Sequence, residues 1–201
     1  GMGRRSDHSR DEIRQMALQA AESIVTEGGY KSLSARKVAN EIGYTVGTLY
    51  LVFDNLDDLV LQVNGRTLDL MVKWLEQRVD IRDRGAETLC RLASSYIDFA
   101  EQHLSRWNML FEYVTDKGNV LPDWYEEKVS RVFRIIEYAL PVANNPVDQA
   151  SDEQVARVLW ASVHGICTLR IRQRLDLAGG QTTKQMTHTL IENFLRGRQA
   201  T

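Results

Sequence analysis

Helical periodicity is the feature that most constrains how this chain can fold. Apolar residues recur three to four positions apart through most of its length, and no stretch alternates apolar and polar residues as a half-buried strand does. Glycine pairs at Gly28-Gly29 and Gly179-Gly180 interrupt the pattern. We therefore predict an all-α fold of about nine helices. With 43% apolar residues, a chain of 201 residues has enough material for a sizeable core.

The stretch 34–53 predicts two short helices joined by a tight turn. Ser34 is predicted to cap the first helix, and Gly43 to end it, because a tight turn favours a residue that tolerates positive φ. Thr45 is then predicted to cap the second helix. Two short helices around such a turn match the helix-turn-helix arrangement, although an ordinary corner of a helical protein gives the same pattern.

The second of these helices carries small groups and hydroxyls. Thr45, Val46, Gly47 and Thr48 occupy its start, where they fit close to base edges in a DNA major groove. Charge adds little to this prediction. The whole chain has a net charge of −2, and acidic and basic residues nearly balance between residues 2 and 53.

Residues 13–60 resemble the DNA-binding domain of TetR-family transcriptional regulators. The matching residues are Ala20-Ala21, Gly28 or Gly29 with Tyr30, Val38-Ala39, Gly43, Gly47-Thr48-Leu49-Tyr50, Phe53 and Leu59. The resemblance implies an N-terminal three-helix domain, residues 9–55, and a larger helical domain for ligand binding and dimerisation, residues 56–198.

Carried over residue by residue, the resemblance also implies which residues face DNA. These are Thr45, Val46, Thr48 and Tyr50. Arg36 resembles the position where some family members place a base-reading arginine, and Lys37 fits a phosphate contact. Two alternatives stay open: Tyr50 as an aromatic core residue, and Arg36 with Lys37 as a solvated helix face.

One position departs from the family pattern. The family usually has a phosphate-binding lysine at the start of its fourth helix, where this chain has Leu56, followed by Asp57 and Asp58. Two carboxylates there oppose a phosphate contact, so we expect fewer such contacts than usual. Arg4 and Arg5, on an N-terminal arm, are predicted to supply some of them.

The C-terminal half has a weaker signature. Trp160 and His164-Gly165 resemble the Trp…His-Gly motif of one class of TetR C-terminal domains, which implies that the last two helices pair with their copies in a homodimer. The stripe Met186, Leu190 and Phe194 is predicted to lie in that interface. The same stripe is equally compatible with a core inside one chain.

A small-molecule effector pocket is predicted among the helices of the larger domain, where aromatic residues with a few polar groups suit an apolar ligand. The candidate lining residues are Trp74, Tyr96, Trp107, Phe111, Tyr113, Phe133, Trp160 and His164. Each of these side chains is also compatible with an ordinary place in the core.

Nothing in the sequence predicts catalysis. The four histidines share no metal-ligand spacing, no phosphate-binding loop or hydrolase motif occurs, and Cys90 and Cys167 are flanked by apolar residues. We expect no metal, no cofactor and no enzyme activity. No apolar run is long enough to span a membrane, and the start of the chain lacks the apolar stretch of a signal peptide, so a cytoplasmic, nucleoid-associated protein is expected.

The sequence therefore predicts a homodimeric, ligand-responsive regulator, a repressor that binds double-stranded DNA at a palindromic operator and leaves it when an effector binds. Two alternatives stay open. One is a DNA-binding adaptor or nucleoid protein of the same fold without an inducer. The other is a helical enzyme or small-molecule carrier whose helix-turn-helix is vestigial.

Overall fold

The computed structural model describes residues 8–116, 118, 120–143 and 150–199. In these ranges it contains nine α-helices, two short 3-10 helices and no strand, which confirms the all-α prediction. The α-helices are α1 (Arg10–Gly28), α2 (Ala35–Ile42), α3 (Val46–Leu49), α4 (Leu56–Glu76), α5 (Ala86–Gln102), α6 (Leu104–Glu112), α7 (Asp123–Ala139), α8 (Asp152–Ile171) and α9 (Thr183–Gln199). The 3-10 helices are Tyr30–Ser32 and Leu175–Ala178.

The sequence predicts N-caps at Ser9, Ser34, Thr45 and Ser151, and the structure confirms all four. Side-chain oxygens of Ser9, Ser34, Thr45 and Ser151 each accept a hydrogen bond from the backbone N–H three residues later. Such a cap satisfies a donor that the helix itself leaves unpaired, and its loss typically costs about 1 kcal/mol. These local bonds explain why four helices begin where the sequence predicts.

The end of α8 differs from the prediction. The apolar pattern predicts a helix to about Leu175, but α8 ends at Ile171. The backbone N–H of Arg174 bonds back to the carbonyl of Leu169, and Gln173 takes a positive φ of 54°. A 3-10 helix begins after three intervening residues, at Leu175, and apolar periodicity alone does not separate the two helices.

The chain packs as two compact units. The N-terminal unit comprises residues 1–67 and 104–125, and the C-terminal unit comprises residues 68–103 and 126–201. The boundary falls inside α4, after Thr67. The two domains that the family resemblance implies for this chain, residues 9–55 and 56–198, stay a prediction.

The core of the N-terminal unit includes apolar residues from α3 and from the segment just after it. Leu49 and Phe53 are almost fully buried with Val38 of α2 and Val25 of α1. Met109 of α6, far along the chain, is fully buried in the same cluster. α6 thus completes the packing of α1, α2 and α3.

The core of the C-terminal unit lies between its four long helices. Phe99 of α5, Leu140 after α7, Cys167 of α8 and Ile191 of α9 are almost fully buried. Burial raises the pKa of the Cys167 thiol to about 12, so this cysteine is an inert core residue. In the described part of the chain, no helix is long and apolar enough to cross a membrane.

Candidate DNA interface and effector cavity

α3 is a single turn held by its own N-cap. Thr45 Oγ1 accepts the backbone N–H of Thr48 at 3.2 Å and lies 3.1 Å from Thr48 Oγ1. Gly43, at φ 75°, supplies the left-handed turn before it, a conformation that glycine adopts without strain. The bond between the two hydroxyls uses one of their two protons, so α3 presents the two methyl groups, one remaining O–H donor and the remaining lone pairs.

The exposed face of α3 matches the face expected to contact DNA. Leu49 points into the core, while Thr45 and Gly47 are exposed and Val46 and Thr48 are partly exposed. Tyr50 is 44% exposed, which places it at the surface rather than in the aromatic core. Leu51, which the sequence reasoning left unassigned, is 63% exposed beside it.

Arg36 and Lys37 lie on the first turn of α2, and both are exposed. The backbone N–H of Lys37 donates to the Ser34 side chain, so the cap also fixes the start of this turn. Both side chains extend from an ordered helix into solvent, as a base or phosphate contact requires. Arg4 and Arg5 lie outside the described residues.

The acidic start of α4 is occupied by internal hydrogen bonds. Asn55 Oδ1 accepts the N–H of Asp58 at 2.8 Å. Asp58 accepts the N–H of Asp54 at 2.9 Å through one oxygen and the Gln62 amide at 3.0 Å through the other. One N–H group of the first turn of α4, that of Asp58, is therefore engaged by this chain's own side chain, as is the N–H of Asp54 just before the helix.

Asp57 ties the end of α6 to this same helix start. One carboxylate oxygen accepts the Tyr113 hydroxyl at 2.6 Å, and the other accepts the backbone N–H of Asp116 at 2.8 Å. Burial raises the pKa of Tyr113, and its hydrogen bond to Asp57 raises it further, so the hydroxyl stays protonated and donates. The Tyr113 ring also meets the edge of Tyr30, with ring centroids 6.3 Å apart.

Two contacts near the DNA-binding helices are absent from the sequence prediction. His8 Nδ1 lies 2.8 Å from the hydroxyl of Tyr44, so the residues before α1 reach the turn of the helix-turn-helix. Arg14 of α1 donates to the carbonyl of Val52 just after α3. The partners are 36 positions apart in the first contact and 38 in the second, so local sequence patterns do not indicate either contact.

An ion-pair cluster joins three helices of the N-terminal unit. Glu22 of α1 lies 2.6 Å from Arg66 of α4 and 2.7 Å from Arg106 of α6. Arg106 also donates to Thr67 at 3.2 Å. The Glu22 side chain is only 14% exposed, so loss of either arginine would leave a largely buried carboxylate with a single partner.

The C-terminal unit contains an apolar cavity of about 40 Å³. Its walls come from α5, α7, α8 and α9 and from Leu75 near the end of α4, and its aromatic members are Tyr96 of α5 and Trp160 of α8. Leu75, Val132 and Ile191 complete opposite sides. A cavity of this size holds a few atoms at most, so any larger ligand has to displace side chains.

The predicted pocket residues are divided between the two units. Tyr96 and Trp160 line the cavity, and His164 and Phe133 contact Trp160, with ring centroids 5.1 and 5.5 Å away. Trp74 packs against Phe99 and donates its indole N–H to the Ser95 carbonyl at 2.9 Å. The other three, Trp107, Phe111 and Tyr113, belong to α6 and the residue after it, in the N-terminal unit.

His164 and Tyr96 form the polar pair beside the cavity. Tyr96 hydroxyl and His164 Nδ1 are 2.7 Å apart. Burial lowers the pKa of His164, which favours the neutral imidazole. The cavity wall is thus apolar except for one hydroxyl that already has a partner.

α8 and α9 leave several apolar and small residues partly or fully exposed. Ile191 and Leu195 of α9 are buried in their own unit, whereas Met186, Leu190 and Phe194 are only partly buried. On α8, Val158 is 49% exposed, and Ala161 and Gly165 follow it on the same exposed side. A Cβ at Gly165 would meet no atom of its own chain within 4 Å.

Among the described residues, no three His, Cys, Asp or Glu side chains are grouped so as to hold a metal ion. The principal functional feature is α3, a short, capped and exposed helix that follows a glycine turn and is anchored in a core formed with α1, α2, α4 and α6. This arrangement defines a helix-turn-helix DNA-binding protein.

Comparison with known proteins identifies the family. Residues 17–63 match the model described as bacterial regulatory proteins, tetR family, and residues 89–194 match the tetracyclin repressor-like C-terminal domain. The chain belongs to the TetR family of transcriptional regulators. The Trp…His-Gly class of C-terminal domain stays a prediction.

Individual relatives are distant. An uncharacterized HTH-type transcriptional regulator of Haemophilus influenzae is 24% identical over 113 residues, which cover 56% of this chain and 53% of that protein. The chain thus spans about half the length of that relative. A protein of unknown function from Rhodococcus sp. RHA1 has a similar fold, with a TM-score of 0.70, 22% identity, and coverage of 96% of this chain and 97% of that one. FadR from Bacillus subtilis, solved in complex with stearoyl-CoA, gives a TM-score of 0.63 at 14% identity, with coverage of 91% and 98%.

Proposed function

We propose that this protein is a homodimeric repressor that binds a palindromic operator in the cytoplasm and is released by a small-molecule effector. The observation that carries the proposal is the exposed start of α3 next to Arg36 and Lys37, in a chain that belongs to the TetR family. Both cations and the small α3 residues extend from capped, ordered helix starts.

Direct readout in this proposal depends on few groups. Arg36 is the one residue among these that can form a bidentate pair with guanine, and Val46 with the threonine methyl groups offers apolar contact to thymine methyls. Lys37 and the Tyr50 hydroxyl take phosphates. The carboxylates Asp57 and Asp58 oppose a phosphate at the start of α4, so the number of phosphate contacts in this proposal is small.

Dimerisation follows from the same proposal, because palindromic half-sites require two recognition helices about 34–36 Å apart. The partly buried Met186, Leu190 and Phe194, together with the exposed small residues of α8, support an interface between the last two helices and their copies. Gly165 in the middle of α8 supports close approach, since glycine costs helix stability and nothing in its own chain requires it.

The effector in this proposal enters the apolar cavity beside Tyr96 and Trp160. The lining offers no charged side chain, so the ligand is an apolar or amphipathic molecule whose buried part is uncharged. It displaces cavity side chains, because the unliganded space is small. α4 carries residues of both units, and its displacement changes the separation of the two α3 helices and releases the operator.

Binding of the purified protein to the DNA upstream of its own gene tests the proposal. Footprinting should show a protected palindrome, and Arg36→Ala should weaken binding by about 1–3 kcal/mol, or roughly 5–150-fold. Arg134→Ala, which changes an exposed arginine of α7, is the matched control and should leave affinity unchanged. Equal DNA affinity of Arg36→Ala, Thr48→Ala and the parent protein would contradict the proposal.

A further inference from the structure

A second concave surface lies in the C-terminal unit, and it has a different chemistry from the cavity. It is an open groove of about 900 Å³ between the first halves of α5 and α9, with Arg78 at one end. We name it the α5–α9 groove. It shares no lining residue with the apolar cavity, and its volume is in the range of small-molecule sites.

Two cationic side chains of the α5–α9 groove, Arg78 and Lys184, are not paired with its acidic side chains. Its two acidic side chains are both paired: Glu87 lies 2.7 Å from Arg91, and Glu192 lies 3.7 Å from Arg196. In the described ranges of the chain, no carboxylate forms an ion pair with either Arg78 or Lys184. These two cations line the groove from the segment just after α4 and from the start of α9.

Arg78 is held in position by neutral groups. Its guanidinium carbon lies 3.2 Å from the centre of the Trp74 ring, and its Nη1 donates to the Trp74 carbonyl at 3.0 Å. Trp74 is fixed in turn by its hydrogen bond to the Ser95 carbonyl. An arginine that is oriented by a ring and a carbonyl keeps its full charge and further N–H donors for an anion.

We propose that the α5–α9 groove binds a small organic anion through Arg78 and Lys184, as a ligand site separate from the apolar cavity. Carboxylates and phosphate esters share the oxygen geometry that a guanidinium recognises, and a lysine adds a point charge. Exposed hydroxyls of Ser94 and Thr182 line the same groove and suit the polar part of such a molecule. The bound anion bridges the segment after α4 to the start of α9.

Cys90 supplies a reporter inside the groove. Its thiol is partly exposed there, whereas Cys167 is fully buried and serves as an internal standard. Burial and the charge of Glu192 raise the pKa of Cys90, so alkylation by iodoacetamide should be slow and is best followed at alkaline pH. Mass spectrometry gives the modification rate of each cysteine in the native protein.

The probes are citrate and glucose 6-phosphate, with glucose as the neutral control, all at matched ionic strength. We expect at least one anion to slow Cys90 alkylation several-fold and glucose to have no effect. Arg78→Gln and Lys184→Gln should each weaken that protection about tenfold, since each removes a charge-assisted contact. Arg134→Gln is the matched control for loss of a surface cation.

Two results would overturn the proposal. One is equal protection by the anions and by glucose. The other is undiminished protection in the double variant Arg78→Gln/Lys184→Gln, with its folded state verified by circular dichroism. The readout needs no DNA, so its failure leaves the regulator proposal untouched.

Discussion

Replacing Tyr113 by phenylalanine removes one hydroxyl from the N-terminal unit and keeps the ring. That hydroxyl donates to Asp57 at 2.6 Å, and both side chains are half-buried. Hydrogen bonds to charged groups contribute about 1.5–3 kcal/mol, and partial exposure places this one at the lower end. We expect Tyr113→Phe to lower the unfolding free energy by about 1.5 kcal/mol, which corresponds to about 3–6 °C in Tm for a chain of this size.

Asp57→Asn should separate stability from DNA affinity. The amide keeps only one of the two acceptor oxygens that Tyr113 and Asp116 use, so at least one of these two hydrogen bonds is lost and stability falls again. Loss of the negative charge has the opposite effect on DNA binding, because a phosphate about 7 Å away in water repels a carboxylate by about 0.6 kcal/mol. Affinity should therefore rise about threefold at low salt and less as salt screens the charge. Tyr113→Phe keeps the charge and should leave affinity unchanged.

Urea denaturation measures the stabilities, and fluorescence anisotropy with operator DNA at two salt concentrations measures the affinities. The double variant completes a cycle, in which we expect a coupling energy of about 1 kcal/mol or more between Tyr113 and Asp57. Asp98→Asn removes an exposed carboxylate from α5 in the other unit and serves as the charge control. A coupling energy near zero, or equal gains in affinity for Asp57→Asn and Asp98→Asn, would refute the reasoning.

Two further predictions concern the C-terminal unit. Gly165→Ala should stabilise the isolated chain by about 0.5–1 kcal/mol, because glycine is a poor helix residue. The same change should weaken the proposed dimer, in which a second copy packs closely against Gly165. Analytical ultracentrifugation measures the association, and an unchanged dimer affinity would contradict the interface. Burial lowers the pKa of His164 below its ordinary value of 6.5, so the unfolded state binds more protons as pH falls below that value, and stability declines. His164→Asn should make that decline shallower in urea titrations between about pH 5 and 8, and an unaltered pH dependence would exclude this role.

The start of each helix was predictable where a local bond determines it. Ser9, Ser34, Thr45 and Ser151 act on N–H groups three residues away, so a short window of sequence contains both partners. Gly43 was predictable for the same reason, since its conformation depends on the turn that it forms. The end of α8 was not, because a following 3-10 helix continues the apolar pattern.

The role of Asp57 depends on distance along the chain. Its partners, Tyr113 and Asp116, lie 56 and 59 positions away, and nothing near Asp57 in sequence indicates them. From its neighbours in sequence, the Asp57 carboxylate is expected only to oppose a phosphate. In the structure it also holds the end of α6 through its hydrogen bonds to Tyr113 and Asp116. The aromatic residues of the predicted pocket present the same difficulty. Their residue type predicts that they make apolar contacts, but not where. Only the structure shows that Tyr96 lines the cavity and that Trp107 lies in the other unit.

The N-terminal unit is discontinuous, and this affects the order of events during synthesis. When Thr67 has left the ribosome, the DNA-binding helices still lack Met109 and the second cation of Glu22. Residues 68–103 must be added first, which takes about 2–7 s at usual rates of translation. Until α6 arrives, the nascent DNA-binding helices expose an apolar surface and an under-compensated carboxylate. A cell therefore acquires a competent DNA-binding unit only after more than half of the chain has been made.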